Sequence, residues 1–256
     1  MVGPLRDDGK HELVTLYQRV ALSDRIAVER SAELRVACFR DDTLVRRALE
    51  CVAGDNGSTF SAHVTKRIPV AAGLGGGSSD AATALHLANA LRNEPYDDER
   101  LYAFARELGA DVPYFLADGP QLGTGDGTQL TPVELPQDYW IVLVLARNAV
   151  KRSTASVYAS FDERQGERGY DQRRAELLGV LDSVERPRDL AALPPNDLAS
   201  SPVAKELEEL GAFRADVTGA GPAVYGLFLH AAQARAAQRE MSPVGRTWIT
   251  APAWYR

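Results

Sequence analysis

Cysteine and lysine are both scarce in this 256-residue sequence, and no long apolar run breaks its polar texture. The two cysteines, Cys38 and Cys51, have neither CxxC spacing nor a nearby histidine. That pattern excludes a disulfide framework and a thiolate metal cluster, and it predicts two reduced thiols and no metal site of the protein's own. Lysine occurs only at positions 10, 66, 151 and 205, in a chain of formal charge −6. No run of Lys or Arg forms a stripe that could follow a phosphate backbone, the arginines being spread widely along the chain, and this argues against nucleic acid as a partner. A small phosphorylated ligand is not excluded, because a local patch of backbone amides binds one whatever the net charge. No apolar stretch approaches the roughly 20 residues of a membrane span. Residues 1–10 are polar and lack the core of a signal peptide. The expectation is a soluble cytoplasmic protein with no membrane partner. What is present, 45% apolar and 25% charged residues, is the balance of a globular chain long enough for one large domain or two packed lobes.

Apolar periodicity then organises the chain. Strand-like patches at His11–Val20 and Arg25–Glu29 are separated by the turn residues Ser23-Asp24. Thr43–Val52 carries Leu44, Ala48 and Val52 on one helical face, with Asp42 or Thr43 as its cap. A turn at residues 55–58 leads into the alternating strand Thr59–Ile68. Helices are expected at Ser79–Arg92 and from Asp97 to Leu108, the second closed by Gly109. Gln129–Leu145 reads as two strands broken at Pro136-Gln137-Asp138, with a boundary near 146–151. Helical pieces at Ser153–Phe161, Arg173–Leu181 and Val203–Leu210 follow. The last segment is strand, glycine loop, strand, helix and strand, ending near Thr250. The mixture predicts an α+β chain of two lobes, divided into residues 1–146 and 147–256.

The most informative stretch is Pro69-Val70-Ala71-Ala72-Gly73-Leu74-Gly75-Gly76-Gly77-Ser78-Ser79, between a strand and a helix. Its glycines remove side chains that would block a ligand and permit positive φ. Consecutive N–H groups, with the amides and positive end of the following helix, can then wrap an anion. No lysine follows the glycines, so this is not a Walker A loop. The sixth place of a G-x-G-x-x-G count falls on Ser78 or Asp80, so it is not a dinucleotide fingerprint either. The plainer reading is a flexible turn with a serine-capped helix. Further on, Gly109-Ala110-Asp111-Val112-Pro113 offers either a helix cap with proline inside the turn or a carboxylate able to take a hydroxyl proton. Leu122–Gly127 and Asp216–Gly221 are glycine-rich hairpins that permit close backbone approach. Asn196-Asp197-Leu198 reads most simply as a cap, and Tyr17 and Tyr158 as half-buried core aromatics.

Taken together, these pieces resemble the GHMP kinases. Pro69–Ala82, with "GLGGGSSDAA", resembles the second motif of that family in the form seen in its diphosphocytidyl-methylerythritol branch. "GADVP", "GTGDG", "NDL", "DVTGAGP" and Asp8–Leu13, "DGKHEL", resemble further elements. The resemblance covers essentially the whole chain. It implies a two-lobed fold, with a ribosomal protein S5 domain 2-like N-terminal lobe and a ferredoxin-like C-terminal lobe. It also implies ATP-dependent phosphorylation of the 2-hydroxyl of a diphosphocytidyl-linked methylerythritol in isoprenoid precursor synthesis. By the same resemblance, Pro69 to Ser79 bind ATP, Ser78 or Ser79 touches Mg²⁺, and Asp111 is the catalytic base. His11, Tyr17 and Tyr158 hold the cytosine, and Gly219 and Gly221 form an active-site loop. A monomer or weak homodimer is expected.

Lys10 stands where the family usually has an aromatic, which removes one stacking face. The family's first motif, a strand with a lysine that neutralises the transferring phosphoryl group, has no counterpart among residues 1–7, which hold no lysine. The expectation is therefore a shortened start with a missing first strand and an exposed sheet edge. The alternatives are a non-catalytic or weakly active nucleotide-binding homologue, or another GHMP small-molecule kinase.

Overall fold

A computed structural model describes residues 1–38, 43–54, 59–149 and 153–253. The Asp42 cap, the turn at 55–58 and the end of the 146–151 boundary lie outside them. The described residues form two compact units that interleave along the chain. The first comprises residues 1–21, 71–74 and 119–256, and the second residues 22–70 and 75–118. Residues from both sides of position 146 belong to the first unit.

The first unit is built on two four-stranded antiparallel sheets. One has the order β1-β2-β6-β7, from Val2–Leu5 (β1), His11–Tyr17 (β2), Gln121–Gly125 (β6) and Gln129–Pro132 (β7). The expectation that nothing before Asp8 can form a strand is overturned here. Val2 pairs with Leu13 and Leu5 with His11, and the Met1 ammonium donates to Val14 O at 2.6 Å. Pro4 is tolerated because on an edge strand one side of the ladder needs no donor. β1, not β2, is thus the sheet's edge.

The second sheet has the order β11-β8-β10-β9, from Trp140–Ala146 (β8), Arg214–Val217 (β9), Val224–Phe228 (β10) and Gly245–Thr250 (β11). With Pro202–Glu209 (α6) before β9 and Ala231–Met241 (α7) before β11, this is the split β-α-β order of a ferredoxin-like lobe. Ile141 to Val144 are buried without a break. Val142 and Val144 join Leu207, Phe228, Ala237 and Met241 in one core, which is why β8 reads as a continuous apolar run rather than an alternation. Thr154–Glu163 (α4) and Tyr170–Ser183 (α5) complete this unit. Ser153 caps α4 by accepting from Ser156 N at 3.1 Å.

The second unit packs Thr43–Ala53 (α1), Gly76–Ala90 (α2) and Asp98–Leu108 (α3) against a sheet of order β3-β5-β4. Its strands are Arg25–Ser31 (β3), Arg35–Ala37 (β4) and Thr59–Thr65 (β5). Val45, Leu49, Phe60, Ala81, Leu85, Ala88 and Phe104 share its core. Asp97 caps α3 by accepting from Arg100 N at 2.8 Å. Gly109 ends it with φ 166°, ordinary extended backbone rather than the left-handed turn expected of a C-terminal glycine. No helix of the described residues is long and apolar enough to cross a membrane.

Candidate active site

The glycine stretch spans both units, and the chain passes from the first to the second between Leu74 and Gly75. In the second unit, α2 starts at Gly76, three residues before the expected Ser79, and no side chain caps it. Gly75 holds the preceding position at φ 66°, a conformation that glycine adopts without penalty. The first α-helical bond is made by Ser79 N to Gly75 O at 2.8 Å, so the amides of Gly76, Gly77 and Ser78 precede the ladder, as at any helix start. No acidic residue sits in that first turn. The arrangement is an anion seat made of backbone donors at the positive end of a 15-residue helix. The serine-capped turn is not what forms.

Beside this seat lies a buried charge cluster that the sequence did not single out. Lys66 Nζ donates to Asp24 Oδ2 at 2.5 Å and to Asp80 Oδ2 at 2.6 Å. The Asp24 and Asp80 side chains are 3% and 2% exposed. Asp24 Oδ1 also accepts the backbone N–H of Ile68 at 2.9 Å. A Cβ on Gly76 would stand 3.5 Å from Lys66 Nζ, which places the ammonium at the start of α2. Burial raises the Asp80 carboxyl to about 7, against the pull of Lys66 in the other direction. Burial lowers the Lys66 ammonium, but the hydrogen bonds to Asp24 and Asp80 outweigh it and the net direction is up. An open cleft of about 640 Å³ is lined by Ala37, Cys38, His63, Val64 and the same Lys66.

The Asp111 turn also belongs to this unit. Asp111 is exposed, between α3 and the 3₁₀ turn Pro113–Leu116. It is not the cap of that turn, because Val112 occupies the capping position. Phe115, four residues on, packs on the start of α2, with its ring 3.0 Å from where a Cβ on Gly75 would sit. The carboxylate-bearing turn and the anion seat are therefore neighbours.

In the first unit, Ala71–Leu74 docks on the loop between β9 and β10. Thr218 Oγ1 donates to Gly73 O at 2.6 Å, and Ala223 N donates to Ala72 O at 2.9 Å. Gly73 has φ 79°, and a Cβ there would lie 2.5 Å from Gly221 O, so this glycine is required twice over. Gly219 and Gly221 have φ 51° and 77°. Two glycine motifs about 145 residues apart in sequence thus form one backbone surface. Val70, just before it, is 58% exposed, and Pro69 is buried.

His11 and Tyr158 meet, with ring centroids 5.3 Å apart and planes 26° from parallel. Phe161 adds its edge at 5.6 Å. His11 Nδ1 lies 2.8 Å from Gly3 O, which can only accept, so Nδ1 carries the proton. Nε2 faces Asp162 Oδ1 at 3.2 Å. Tyr17 stands six residues further along β2, about 20 Å of extended chain. Its ring packs over Gly123, and its hydroxyl points at Gly127 O at 3.4 Å. The "GTGDG" turn is the β6–β7 hairpin, and Lys10 is bound to it. The Lys10 ammonium donates to Asp126 Oδ2 at 2.7 Å. That bond and the Thr128 hydroxyl hold the Asp126 carboxyl down at about 2. Lys10 is thus a partner of the hairpin.

Asn196 does not cap a helix; Ser201 caps α6. Its amide nitrogen Nδ2 instead donates to Val217 O at 2.8 Å and Gly219 O at 2.6 Å. Asp24, Lys66 and Asn196 are ordinary polar residues in sequence, and only the resemblance drew notice to Asn196. For a metal, Ser78 and Ser79 offer hydroxyl oxygens, hard donors that suit Mg²⁺. Among the described residues no group of three or more His, Cys, Asp or Glu is placed to hold an ion. This donor set fits a Mg²⁺ carried chiefly by nucleotide phosphates.

Comparison with known proteins agrees with these features. Residues 43–119 match the GHMP kinases N terminal domain, and residues 197–246 match the GHMP kinases C terminal domain. A 4-diphosphocytidyl-2-C-methyl-D-erythritol kinase of Pelobacter propionicus is 37% identical over 269 aligned positions, covering 97% of this chain and 91% of the relative. One from Cutibacterium acnes is 35% identical over 86% of this chain and 79% of its own length. A crystal structure of 4-(cytidine 5'-diphospho)-2C-methyl-D-erythritol kinase superposes with a TM-score of 0.79 at 30% identity, covering 98% of this chain and 94% of that one. With a glycine-built anion seat on α2, a second glycine loop docked on Ala71–Leu74, and relatives of this identity over nearly its whole length, the chain belongs to the GHMP kinase family.

Proposed function

We propose that the protein is a cytoplasmic kinase that transfers the γ-phosphoryl group of ATP to the 2-hydroxyl of 4-diphosphocytidyl-2-C-methyl-D-erythritol, acting as a monomer or weak homodimer. The observation that carries this reading is the adjacency of the Asp111 turn to the uncapped start of α2, through Phe115 on Gly75. The amides of Gly76 to Ser78 take the phosphates, and the rest of Pro69 to Ser79, with Gly219 and Gly221, contributes to nucleotide binding through backbone rather than side chains. The cleft beside Lys66 takes the nucleoside. Asp111 accepts the proton of the 2-hydroxyl as its oxygen attacks the γ-phosphorus, and ADP leaves with the bridging oxygen. Mg²⁺ held with Ser78 or Ser79 neutralises phosphate charge when bound. His11 and Tyr158, the pair that meets, hold the cytidine part, with the bond from His11 Nδ1 to Gly3 O setting the orientation of the ring.

The test is ADP release from ATP with this substrate and Mg²⁺. Turnover is expected, and D111N should lower kcat by about 10²- to 10⁴-fold with ATP affinity and melting temperature unchanged. A folded protein that binds ATP without turnover would leave a nucleotide-binding homologue. Faster turnover of homoserine or mevalonate would assign another branch of the family.

A further inference from the structure

Asn196 commits its backbone N–H and its whole side-chain amide to one task. Its backbone N–H donates to Asp216 Oδ2 at 2.8 Å, and its Oδ1 accepts from Leu198 N at 2.8 Å. Both protons of its amide go to the carbonyls of Val217 and Gly219. Arg214 ties the same segments from the other side, donating to Leu193 O at 2.5 Å and Pro194 O at 2.8 Å and approaching Asp216 Oδ2 at 3.4 Å. Both Arg214 bonds to carbonyls land just upstream of Asn196, so this coil is fixed before Asn196 reaches the loop. The loop is closed at its base by Thr218 N donating to Ala223 O at 2.9 Å. At its tip Gly219 has φ 51° and open space where a Cβ would be, so no side-chain packing holds that residue. Within the loop, Gly221 N donates to Thr218 O at 2.8 Å. Outward, Thr218 Oγ1 and Ala223 N hold the carbonyls of Gly73 and Ala72.

We infer that Asn196 is a positioning residue for the nucleotide: by holding the Gly219 carbonyl it orients the loop after β9, which through Thr218 sets the path of Ala72 and Gly73. This rests on the reading of Pro69–Ser79 as the phosphate loop. Asn196 acts only through backbone carbonyls. An aspartate of the same shape accepts from Leu198 N but presents oxygen to both carbonyls, so shape alone does not preserve the function.

The experiment measures ATP affinity by calorimetry on the full chain, for the wild type, N196A, N196D, T218V and the double variant N196A/T218V, with thermal melting of each. Loss of one or two neutral hydrogen bonds that orient a site predicts about a tenfold weaker ATP dissociation constant in N196A, N196D and T218V. In the double variant the losses should not multiply, because the two residues act in series on one loop. KM for the second substrate should stay within about twofold, which a general loss of structure would not spare. Wild-type ATP affinity in N196A and T218V overturns the inference and leaves the kinase reading standing, as does multiplication of their effects. Absence of ATP binding in the wild type overturns both. Should N196A fail to fold, T218V decides: its hydroxyl lies on an exposed loop, and undiminished ATP affinity in that variant refutes the link to Gly73.

Discussion

Replacing Gly73 by alanine tests whether the two glycine motifs form one surface. The new Cβ would stand 2.5 Å from Gly221 O, 2.9 Å from Gly221 C and 3.0 Å from Thr218 O. All three are backbone atoms, so no side chain can swing aside. Relief requires the loops to part by roughly 0.5–1 Å, taking normal carbon–oxygen contact as about 3.3 Å. That movement stretches the Thr218–Gly73 bond of 2.6 Å and the Ala223–Ala72 bond of 2.9 Å, each worth about 1 kcal/mol net. Alanine at φ 79° adds about 1–2 kcal/mol of backbone strain. The expected destabilisation is therefore about 3–4 kcal/mol. G219A is the control: φ is 51° and nothing lies within 4 Å, so it carries the backbone strain alone, about 1–2 kcal/mol. Urea denaturation followed by one probe should place G73A below G219A by about 2 kcal/mol, and ATP affinity should fall further in G73A. Equal midpoints and equal affinities for the two variants would refute the claimed docking of Ala71–Leu74 on the β9–β10 loop.

Two further perturbations read the charged groups. Lys66→Met leaves the Asp24 and Asp80 carboxylates, 3% and 2% exposed, without their cation. Breaking a buried pair this way costs about 3–5 kcal/mol, whereas Lys66→Arg keeps the charge and should lose much less; urea midpoints within about 1 kcal/mol of wild type for Lys66→Met would show that the cluster is not holding the start of α2. The hairpin carboxyl Asp126 is held at about 2 against an ordinary 3.8. A lowered carboxyl contributes stability that is fully present above the ordinary value and is lost as pH falls through the folded one. The stability difference between wild type and D126N should hence be constant above about pH 5 and shrink between about pH 4 and 2, and added salt should reduce it because Lys10 is solvent-exposed. A difference that does not change across that window would refute the assignment.

The parts of this fold that were legible are those whose signal is local. Of the expected stripe Ala81, Leu85, Ala88 and Leu91, the first three lie buried on α2 and Leu91 is its half-buried C-cap; the alternation expected over Thr59–Ile68 is a strand from Thr59 to Thr65, and the aspartate before α3 caps it. The glycines of the phosphate loop were legible for the same reason, since a missing side chain and a positive φ are properties of one residue. Errors arose where tertiary structure overrode propensity. Serine preference placed the start of α2 at Ser79, yet packing against Ile68 and Phe115 carries the helix back through Gly77 and Gly76, whose intrinsic cost is about 1 kcal/mol each. β1 was missed because its stability comes from β2 and from Asp197, which accepts Val2 N at 2.9 Å, and neither partner lies within the strand's own residues.

The supporting groups were illegible for a different physical reason. Asp24 meets Lys66 across 42 residues, and Asn196 meets Gly219 across 23. An amide or an ammonium acquires a role only from the acceptor it finds, and no periodicity encodes which acceptor that will be. Glycine motifs therefore reveal where a phosphate site lies, while the residues that stiffen it are hidden among common polar side chains. In this protein the stiffening comes from two independent sets of bonds, one in each unit. Asn196 fixes the loop under Ala71–Leu74, and Lys66 with its two aspartates fixes the start of α2. Combining N196A with Lys66→Arg should then give additive losses of ATP affinity, in contrast to the non-additive pair N196A and T218V. Coupling between Asn196 and Lys66 would mean that the glycine stretch responds as one body and that its division at Leu74–Gly75 has no energetic meaning.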